Sequence, residues 1–184
     1  MPTREEAIKL IKANLSRKNM VYHTLAVEAI MRSLARSLGE DAELWGLTGI
    51  LHDIDFEKTE ATPEKHGLVA ETILRGICPE EVVRAIKAHN ADHTKVTPKT
   101  KMEKALIASD AVSGLLVACA LVMPTKKLKD VKFETAIKKF KDKDFARGAN
   151  RERIILCEEI GVPKEKFLEI ALNGLKEISS QIEL

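Results

Sequence analysis

Apolar side chains recur every three or four residues along most of the chain. The run from Val27 to Leu38 shows this spacing most regularly, and Gly39 follows it as a stop signal. Pro63 and Pro79 stand where first-turn prolines would open two later helices. The whole pattern predicts helices over about residues 3–15, 23–38, 44–52, 63–76, 79–90, 100–122, 150–160 and 164–182.

The composition supports helix over strand. Aromatic residues make up 4% of the chain, and Leu, Ala, Glu and Lys, which favour helices, dominate it. A length of 184 residues is enough to bury a sizeable core. We therefore predict an all-α fold in which residues 1–184 form a single domain.

Charge and hydropathy exclude several classes of protein. The chain carries 30 Lys and Arg against 28 Asp and Glu, a balance that argues against a dedicated nucleic-acid partner. The longest apolar stretch, 111–123, is shorter than the roughly 18 to 20 residues of a membrane span, so we expect a buried helix there and no membrane partner. The acidic start of the chain does not resemble a secretory signal, and three cysteines fit no disulfide framework. The expected location is the cytoplasm.

The histidines are concentrated in one part of the chain. His23, His52, His66, His89 and His93 lie within 71 residues, and the last 91 residues contain none. The first, third and fourth of these share helix faces with apolar side chains, which predicts that their rings point inward. A single inward histidine is ordinarily a hydrogen-bonded core residue. Three of them on separate helices suggest a site.

An aspartate in the apolar helix strengthens this interpretation. Asp110 lies among Leu106, Ile107 and Val117, where an ionised carboxylate needs a compensating cation. A metal ion and a partner arginine or lysine are the two alternatives, and Lys104 and Lys101, one or two turns back, are the nearest in sequence. The His52-Asp53 pair, at the point where an apolar helix gives way to a polar loop, is common by itself and gains meaning only from its neighbours.

Together these residues resemble the HD superfamily of metal-dependent phosphohydrolases. The resemblance lies in a histidine on one helix, a His-Asp pair ending the next and an aspartate on a later apolar helix. Five segments follow the order of the family, YHTLAVEAIMRSLARSLG, LTGILHDID, EKHGLVAETIL, VVRAIKAHN and ALIASDAV. The resemblance covers residues 20–118. It implies an HD-like helical bundle, with residues 119–184 as a C-terminal helical extension like that of a bacterial and archaeal subgroup without a settled substrate.

The resemblance also implies a metal centre. His23, His52, Asp53 and Asp110 match the four ligands of the family's first metal. His66 and His89 match the histidines that bind a second ion, with Asp53 as the bridging ligand and the residue that orients the attacking hydroxide. Mixed imidazole and carboxylate ligands suit one or two ions of Mn, Fe, Co, Ni or Zn.

Substrate contacts are harder to assign. We consider Lys58, His93, Arg147 and Arg151 as substrate-binding candidates, each against the alternative of an ordinary surface residue. Lys58 and His93, together with Asp55 and Glu57, are also the candidates for the general acid. Residues 126–147 hold nine Lys or Arg and four Asp or Glu, and this excess either steers an anionic substrate or is a solvated face.

The function implied is a metal-dependent phosphohydrolase that cleaves a phosphate ester or anhydride of a nucleotide or small phosphorylated metabolite. Residues 89–98 lack the Gly-Tyr-Pro signature of cyclic-dinucleotide phosphodiesterases, so that activity is set aside. A non-catalytic nucleotide sensor that retains the metal site is the alternative, and an inert helical interaction module is a third possibility. The oligomeric state is left open.

Overall fold

Helices and the turns between them build the whole chain. The computed structural model describes residues 1–184, and none of them lies in a strand. The predicted all-α class is therefore confirmed. The α-helices are α1 (Arg4–Asn14), α2 (Lys18–Leu38), α3 (Ala42–Leu51), α4 (Phe56–Thr59), α5 (Leu68–Leu74), α6 (Glu80–His89), α7 (Ala91–Thr94), α8 (Lys101–Leu121), α9 (Phe133–Lys141), α10 (Arg151–Ile155) and α11 (Lys164–Glu177). Short 3₁₀ turns occupy Pro63–Lys65, Leu128–Asp130 and Glu158–Ile160.

Two predicted helices are shorter or more broken than the apolar spacing suggested. The helix expected over 63–76 is divided by Gly67, whose φ of 88° belongs to the left-handed half of the Ramachandran map. The helix expected over 150–160 becomes α10 and a 3₁₀ turn. Conversely, the lysine-rich segment 126–147 contains one helix, α9, that the sequence analysis did not predict.

The two longest helices, α2 and α8, pack against each other and form the centre of the bundle. A hydrophobic cluster of 33 buried residues surrounds them, and α11 closes it from the C-terminal side. A smaller cluster of 11 buried residues joins α1, α3, α5 and α6. Leu25 and Leu44 pack against both clusters, so the two cores are continuous.

Helix α8 is the apolar helix of the sequence analysis. It is the one helix whose length and composition would suit a membrane span, but 61% of its most apolar stretch is buried inside the bundle. Leu106, Leu115 and Leu116 are fully buried there. Helix α8 therefore serves as a core helix of the bundle.

A close contact between α2 and α3 sets the position of the polar residues that follow α3. A Cβ atom on Gly49 would lie 2.9 Å from Glu28 Cα and 3.0 Å from Val27 O, closer than side-chain carbons normally approach backbone. Only glycine allows α3 to lie this near α2. The end of α3 consequently reaches the helix that carries His23.

Candidate metal centre

Six side chains from separate parts of the bundle meet in one cleft. His23 comes from the second turn of α2, and Asp110 from the middle of α8. The other four stand where an element ends or begins, because a helix terminus frees the backbone to turn a side chain toward a neighbour. They are His52 and Asp53 after α3, His66 before α5 and His89 at the end of α6.

Four of these residues form a first group of donor atoms. His23 Nε2 lies 3.2 Å from His52 Nε2, 3.2 Å from Asp110 Oδ1 and 3.4 Å from Asp53 Oδ2. His52 Nε2 lies 3.3 Å from Asp53 Oδ2 and 3.9 Å from Asp110 Oδ1. Ligand atoms at about 2.1 Å from one ion are separated by roughly 3.0 to 3.4 Å in octahedral or tetrahedral geometry. All but the longest of these separations are close to that range.

A second group shares Asp53 with the first. His66 Nε2 lies 3.2 Å and His89 Nε2 lies 3.5 Å from the other carboxylate oxygen, Asp53 Oδ1. The two imidazole nitrogens are 2.9 Å apart. Each oxygen of Asp53 therefore faces a different pair of histidines, which is the arrangement required of a carboxylate that bridges two ions.

All four histidines present the same nitrogen to the centre because the other nitrogen is already engaged. Nδ1 of His52 faces the Gly49 carbonyl at 2.8 Å, and Nδ1 of His89 faces the Ile86 carbonyl. Nδ1 of His23 is 3.3 Å from the hydroxyl of Ser113, which in turn donates to the Asp110 carbonyl. A protonated Nδ1 that donates outward leaves the Nε2 lone pair directed inward, as metal-binding histidines require.

His66 is held by Asp55, a residue that the sequence analysis placed near the polar mouth as a general-acid candidate. That placement is wrong, because Asp55 is completely buried. Its Oδ1 faces His66 Nδ1 at 2.8 Å, and its Oδ2 accepts hydrogen bonds from the backbone of Gly67 and Ala70, both at 2.8 Å. His66 also lies on an extended backbone and not on a helix face as expected. Asp55 acts as a support for His66.

The electrostatics of the cluster call for positive charge. Burial lowers the pKa of His23, but the facing carboxylates of Asp110 and Asp53 outweigh it and raise that pKa to about 10. The pKa of His66 also rises to about 10, where hydrogen bonds to Asp53 and Asp55 overcome the effect of burial. Burial alone would raise the pKa of Asp53, yet His52, His23 and His66 hold it well below its usual value.

These observations fit a divalent metal site. Without an ion, the two inward carboxylates are balanced only by protons on imidazole rings, and Nε2 atoms face one another at hydrogen-bonding distance. A divalent cation compensates the carboxylates and accepts the inward lone pairs at the same time. The donor set of imidazole nitrogens and carboxylate oxygens suits such a cation. Asp110 faces this cluster and not an arginine or lysine.

The cleft around the cluster has a volume of about 350 Å³. Five of the six residues line it, the buried His52 being the exception. The remaining lining residues are Met20, Phe56, Asn90 and Arg153.

None of the four predicted substrate-binding residues lines this cleft. Lys58 is exposed and donates to Asn14 Oδ1 at 2.5 Å. His93 and Arg147 are exposed side chains elsewhere on the surface. The lysine-rich segment 126–147 likewise contributes no residue to the cleft wall.

Arg151 has a structural position instead of the expected one. Its guanidinium donates to six backbone carbonyls, those of Lys139, Phe140, Asp142, Phe145, Ala146 and Ala149. These contacts engage its donors and hold the loop that precedes α10. The structure therefore does not place Arg151 where it could contact a phosphate in the cleft.

Glu57 is excluded as a general acid. It accepts hydrogen bonds from the Ser16 hydroxyl and from the backbone N–H groups of Ser16 and Arg17, just before α2. These donors lower the pKa of Glu57 to about 2. A carboxyl group with that pKa holds no proton to donate near neutral pH.

Arg153 is the charged cleft residue that the sequence analysis missed. Its Nη2 donates to the His89 carbonyl at 3.3 Å. The sequence shows that Arg151 and Arg153 are separated by about 200° around a helix and so face nearly opposite directions. At most one of these two arginines could therefore face the cleft. The pattern could not show which of the two arginines faces the cleft.

Comparisons with known proteins agree with this geometry. The family model described as HD domain matches residues 20–115, slightly more than half of the chain. That range contains all six residues of the cluster and ends before the segment that carries Arg153. No solved structure matches the chain.

Several similar curated proteins share one name, ribonuclease Y. The protein from Desulfotalea psychrophila is 29% identical over 147 residues, covering 77% of this chain and 27% of the relative. The protein from Thermoanaerobacter pseudethanolicus is 30% identical over 173 residues, covering 90% of this chain and 33% of the relative. A relative from a Sulfurovum species is 25% identical, covering 99% and 37%. The chain thus spans about a third of the length of the curated relatives that it matches.

Proposed function

The chain belongs to the HD domain family of metal-dependent hydrolases, and from that premise we propose that it hydrolyses a phosphate ester or anhydride of a nucleotide or of another small phosphorylated metabolite. The observation that carries this proposal is the placement of Asp53, whose two oxygens face two separate pairs of histidines. We propose that His23, His52, Asp53 and Asp110 hold one ion, and that Asp53, His66 and His89 hold a second. Mn, Fe, Co, Ni and Zn suit these ligands.

Divalent ions in such a site supply polarisation of a phosphoryl oxygen and activation of water near neutral pH. The residues of the chain supply the geometry. Asp55 and the carbonyls of Gly49 and Ile86 fix the ring orientation of three histidines, so the Nε2 atoms need little rearrangement on binding. Asp53 is the carboxylate nearest both groups and is placed to orient the attacking water.

The leaving group receives little help from the protein. Apart from the cluster residues, Arg153 is the one titratable side chain that lines the cleft, and an arginine does not give up its proton near neutral pH. The proton for the leaving group therefore comes from water. We accordingly propose a preference for leaving groups that are stable without a proton, such as a phosphate or a phenolate.

RNA is a second candidate substrate. The similar proteins named ribonuclease Y favour it, and a phosphodiester presents the same type of bond to the cluster. Against it stands the small volume of the cleft, about 350 Å³, which suits a compact substrate. The prediction that the protein has no dedicated nucleic-acid partner stays a prediction until RNA is tested.

The proposal is tested by a substrate panel assayed with Mn, Co, Fe, Ni or Zn. The panel contains phosphomonoesters, nucleoside di- and triphosphates, dinucleoside polyphosphates and RNA oligonucleotides. We expect turnover of at least one small substrate and a loss of 100-fold or more in Asp53→Asn. The matched control is Asp144→Asn, which removes an exposed carboxylate outside the cleft.

The outcomes separate the candidate functions. Turnover confined to RNA favours the hypothesis that the protein is a ribonuclease. Tight nucleotide binding without turnover in every metal favours the non-catalytic sensor. Equal activity in wild type and Asp53→Asn would overturn the proposed role of the cluster.

We also propose that the protein works in the cytoplasm. Cys78, Cys119 and Cys157 are all free thiols, and reduced cysteines suit a reducing compartment. Cell fractionation tests this location directly, and recovery outside the cytoplasm would contradict it.

A further inference from the structure

Arg153 is the one lysine or arginine on the wall of the cleft. The carboxylates of Asp53 and Asp110 in the cluster beside it repel anions, and the imidazoles direct neutral lone pairs inward when they hold metal. A phosphorylated substrate that enters this cleft therefore meets one fixed positive charge that belongs to the protein. We propose that Arg153 binds a second phosphoryl group of the substrate, adjacent to the one that is hydrolysed. This inference rests on the proposed function and narrows its substrates to compounds with at least two phosphoryl groups.

Local structure fixes Arg153 in place. Asn150 caps α10 by accepting hydrogen bonds from the backbone of Glu152 at 2.9 Å and of Arg153 at 3.1 Å. Ile154 is fully buried and anchors the helix in the main core. The preceding loop is held by Arg151 through its six carbonyl contacts. A cation mounted on such a rigid support loses little freedom when it binds an anion.

The Arg153 guanidinium has N–H groups that are free to bind an anion. An arginine carries five N–H groups, and the Arg153 side chain makes one hydrogen bond, from Nη2 to the His89 carbonyl at 3.3 Å. Asp92 is its ionic neighbour at 4.0 Å, beyond hydrogen-bonding distance, and the Asp92 side chain is 88% exposed. Such an exposed pair contributes little energy, so a phosphate can displace it and accept two parallel hydrogen bonds.

The position of Arg153 separates it from the phosphoryl group that reacts. His89 directs its Nε2 to Asp53 and its backbone carbonyl to Arg153, so it stands between the two. No nitrogen of Arg153 comes within 4.0 Å of the Asp53 or Asp110 carboxylate. An anion on Arg153 is therefore beside the cluster and not within it. Because Arg153 and the cluster line the same cleft, this position suits a neighbouring phosphoryl group of a diphosphate or a longer chain.

The test compares two non-hydrolysable probes on the Mn-loaded protein by isothermal titration calorimetry. Methylenediphosphonate carries two phosphoryl groups and methylphosphonate carries one. In Arg153→Gln we expect about tenfold or weaker binding of methylenediphosphonate, since a charge-assisted bidentate contact is lost, and less than a twofold change for methylphosphonate. Arg153→Lys keeps the charge and loses the planar guanidinium that forms two parallel hydrogen bonds. Its affinity for methylenediphosphonate should lie between those of wild type and Arg153→Gln.

Two further variants test the specificity of the effect. Arg75→Gln removes the same charge from a side chain that is 76% exposed and outside the cleft, and it should bind both probes as wild type does. Asp92→Asn removes the competing carboxylate and should tighten methylenediphosphonate binding about twofold. A merely structural role for Arg153 would produce neither this gain nor the difference between the probes. Metal content and melting temperature of each variant are measured alongside.

The results distinguish this inference from the proposed function. Unchanged binding of methylenediphosphonate in Arg153→Gln, or equal weakening of both probes, overturns the role of Arg153 even if the wild type hydrolyses its substrates. If the wild type hydrolyses nothing in any metal but binds the diphosphonate through Arg153, the proposed hydrolysis fails and the anion site stands.

Discussion

At the scale of single residues, the second group of donor atoms depends on Asp55, which faces Nδ1 of His66 at 2.8 Å. A histidine or aspartate on an apolar face is visible in the sequence, which is why His23 and Asp110 could be placed. Asp55 gave no such signal, because its partners lie 11 to 15 residues away across a turn. Its role depends on Gly67 adopting a positive φ, and sequence spacing does not reveal that conformation.

Asp55→Asn is expected to weaken binding at one part of the cluster. The amide keeps the size of the side chain but loses the charge that orients His66, so affinity for the second ion should fall by about 10- to 100-fold. Binding through His23, His52 and Asp110 should change much less. Stepwise titration with Mn²⁺, monitored by calorimetry, measures the two events separately. Equal loss of both sites would show that Asp55 supports the fold as a whole and not His66.

At the scale of elements, helices were predicted well and their interruptions poorly. Apolar spacing located α1, α3, α6 and α8 within a few residues of their observed bounds. The break at Gly67 was missed because Pro63 is typical of a first helical turn and His66 stands at helical spacing from Val69 and Ile73. Backbone donors of the α5 start serve the Asp55 carboxylate, and this tertiary contact overrides the local preference for one continuous helix.

Gly49→Ala should destabilise the contact between α2 and α3. The new methyl group would meet Glu28 Cα at 2.9 Å, and backbone cannot move aside as a flexible side chain can. We expect a loss of about 1 to 3 kcal/mol in the free energy of unfolding, measured by urea denaturation, together with weaker metal binding because His52 follows α3.

Gly114→Ala is the matched control for this substitution. No atom lies within 4 Å of its added Cβ, so the alanine should stabilise α8 by about 0.5 to 1 kcal/mol. A Gly49→Ala protein as stable as wild type would contradict the tight packing described here.

The start of α2 should show a pH dependence that originates in Glu57. The pKa of this group is about 2 in the folded protein, below the ordinary value of 4.5, so its ionised form favours folding. The stabilisation is complete above about pH 4.5 and disappears as the pH falls through about 2. The melting temperature of Glu57→Gln should therefore lie below that of wild type at pH 7, and the two should converge near pH 2. A difference that stays constant across this range would refute the assignment.

At the scale of the whole molecule, we expect the two hydrophobic clusters to unfold together. Leu25 and Leu44 pack against both, and the cluster of histidines and aspartates draws residues from helices on either side. Calorimetry should record a single transition whose van't Hoff and calorimetric enthalpies agree. Bound metal should raise its midpoint, because the ion binds only the folded arrangement. Two separate transitions would divide the chain into two domains.

The placement of the C-terminal helices around the cleft, a property of the whole molecule, could not be predicted from the sequence. The family resemblance ends near residue 118, so the candidates beyond it, Arg147 and Arg151, rested on local charge alone. In the structure, α10 brings Arg153 to the cleft, while Arg147 and the lysine-rich segment stay outside it. Long-range packing of α10 on α8 decides this difference, and no local pattern encodes it.

The most direct test of the metal centre is the number of ions that each chain binds. The protein is reconstituted with Mn²⁺ under anaerobic conditions, freed of excess metal and measured by elemental analysis. We predict close to two ions per chain in wild type, close to one in His66→Ala and a loss of both in Asp53→Ala. A wild-type chain that binds no metal, or one whose metal content is unchanged in His66→Ala, would contradict the bridging role assigned to Asp53.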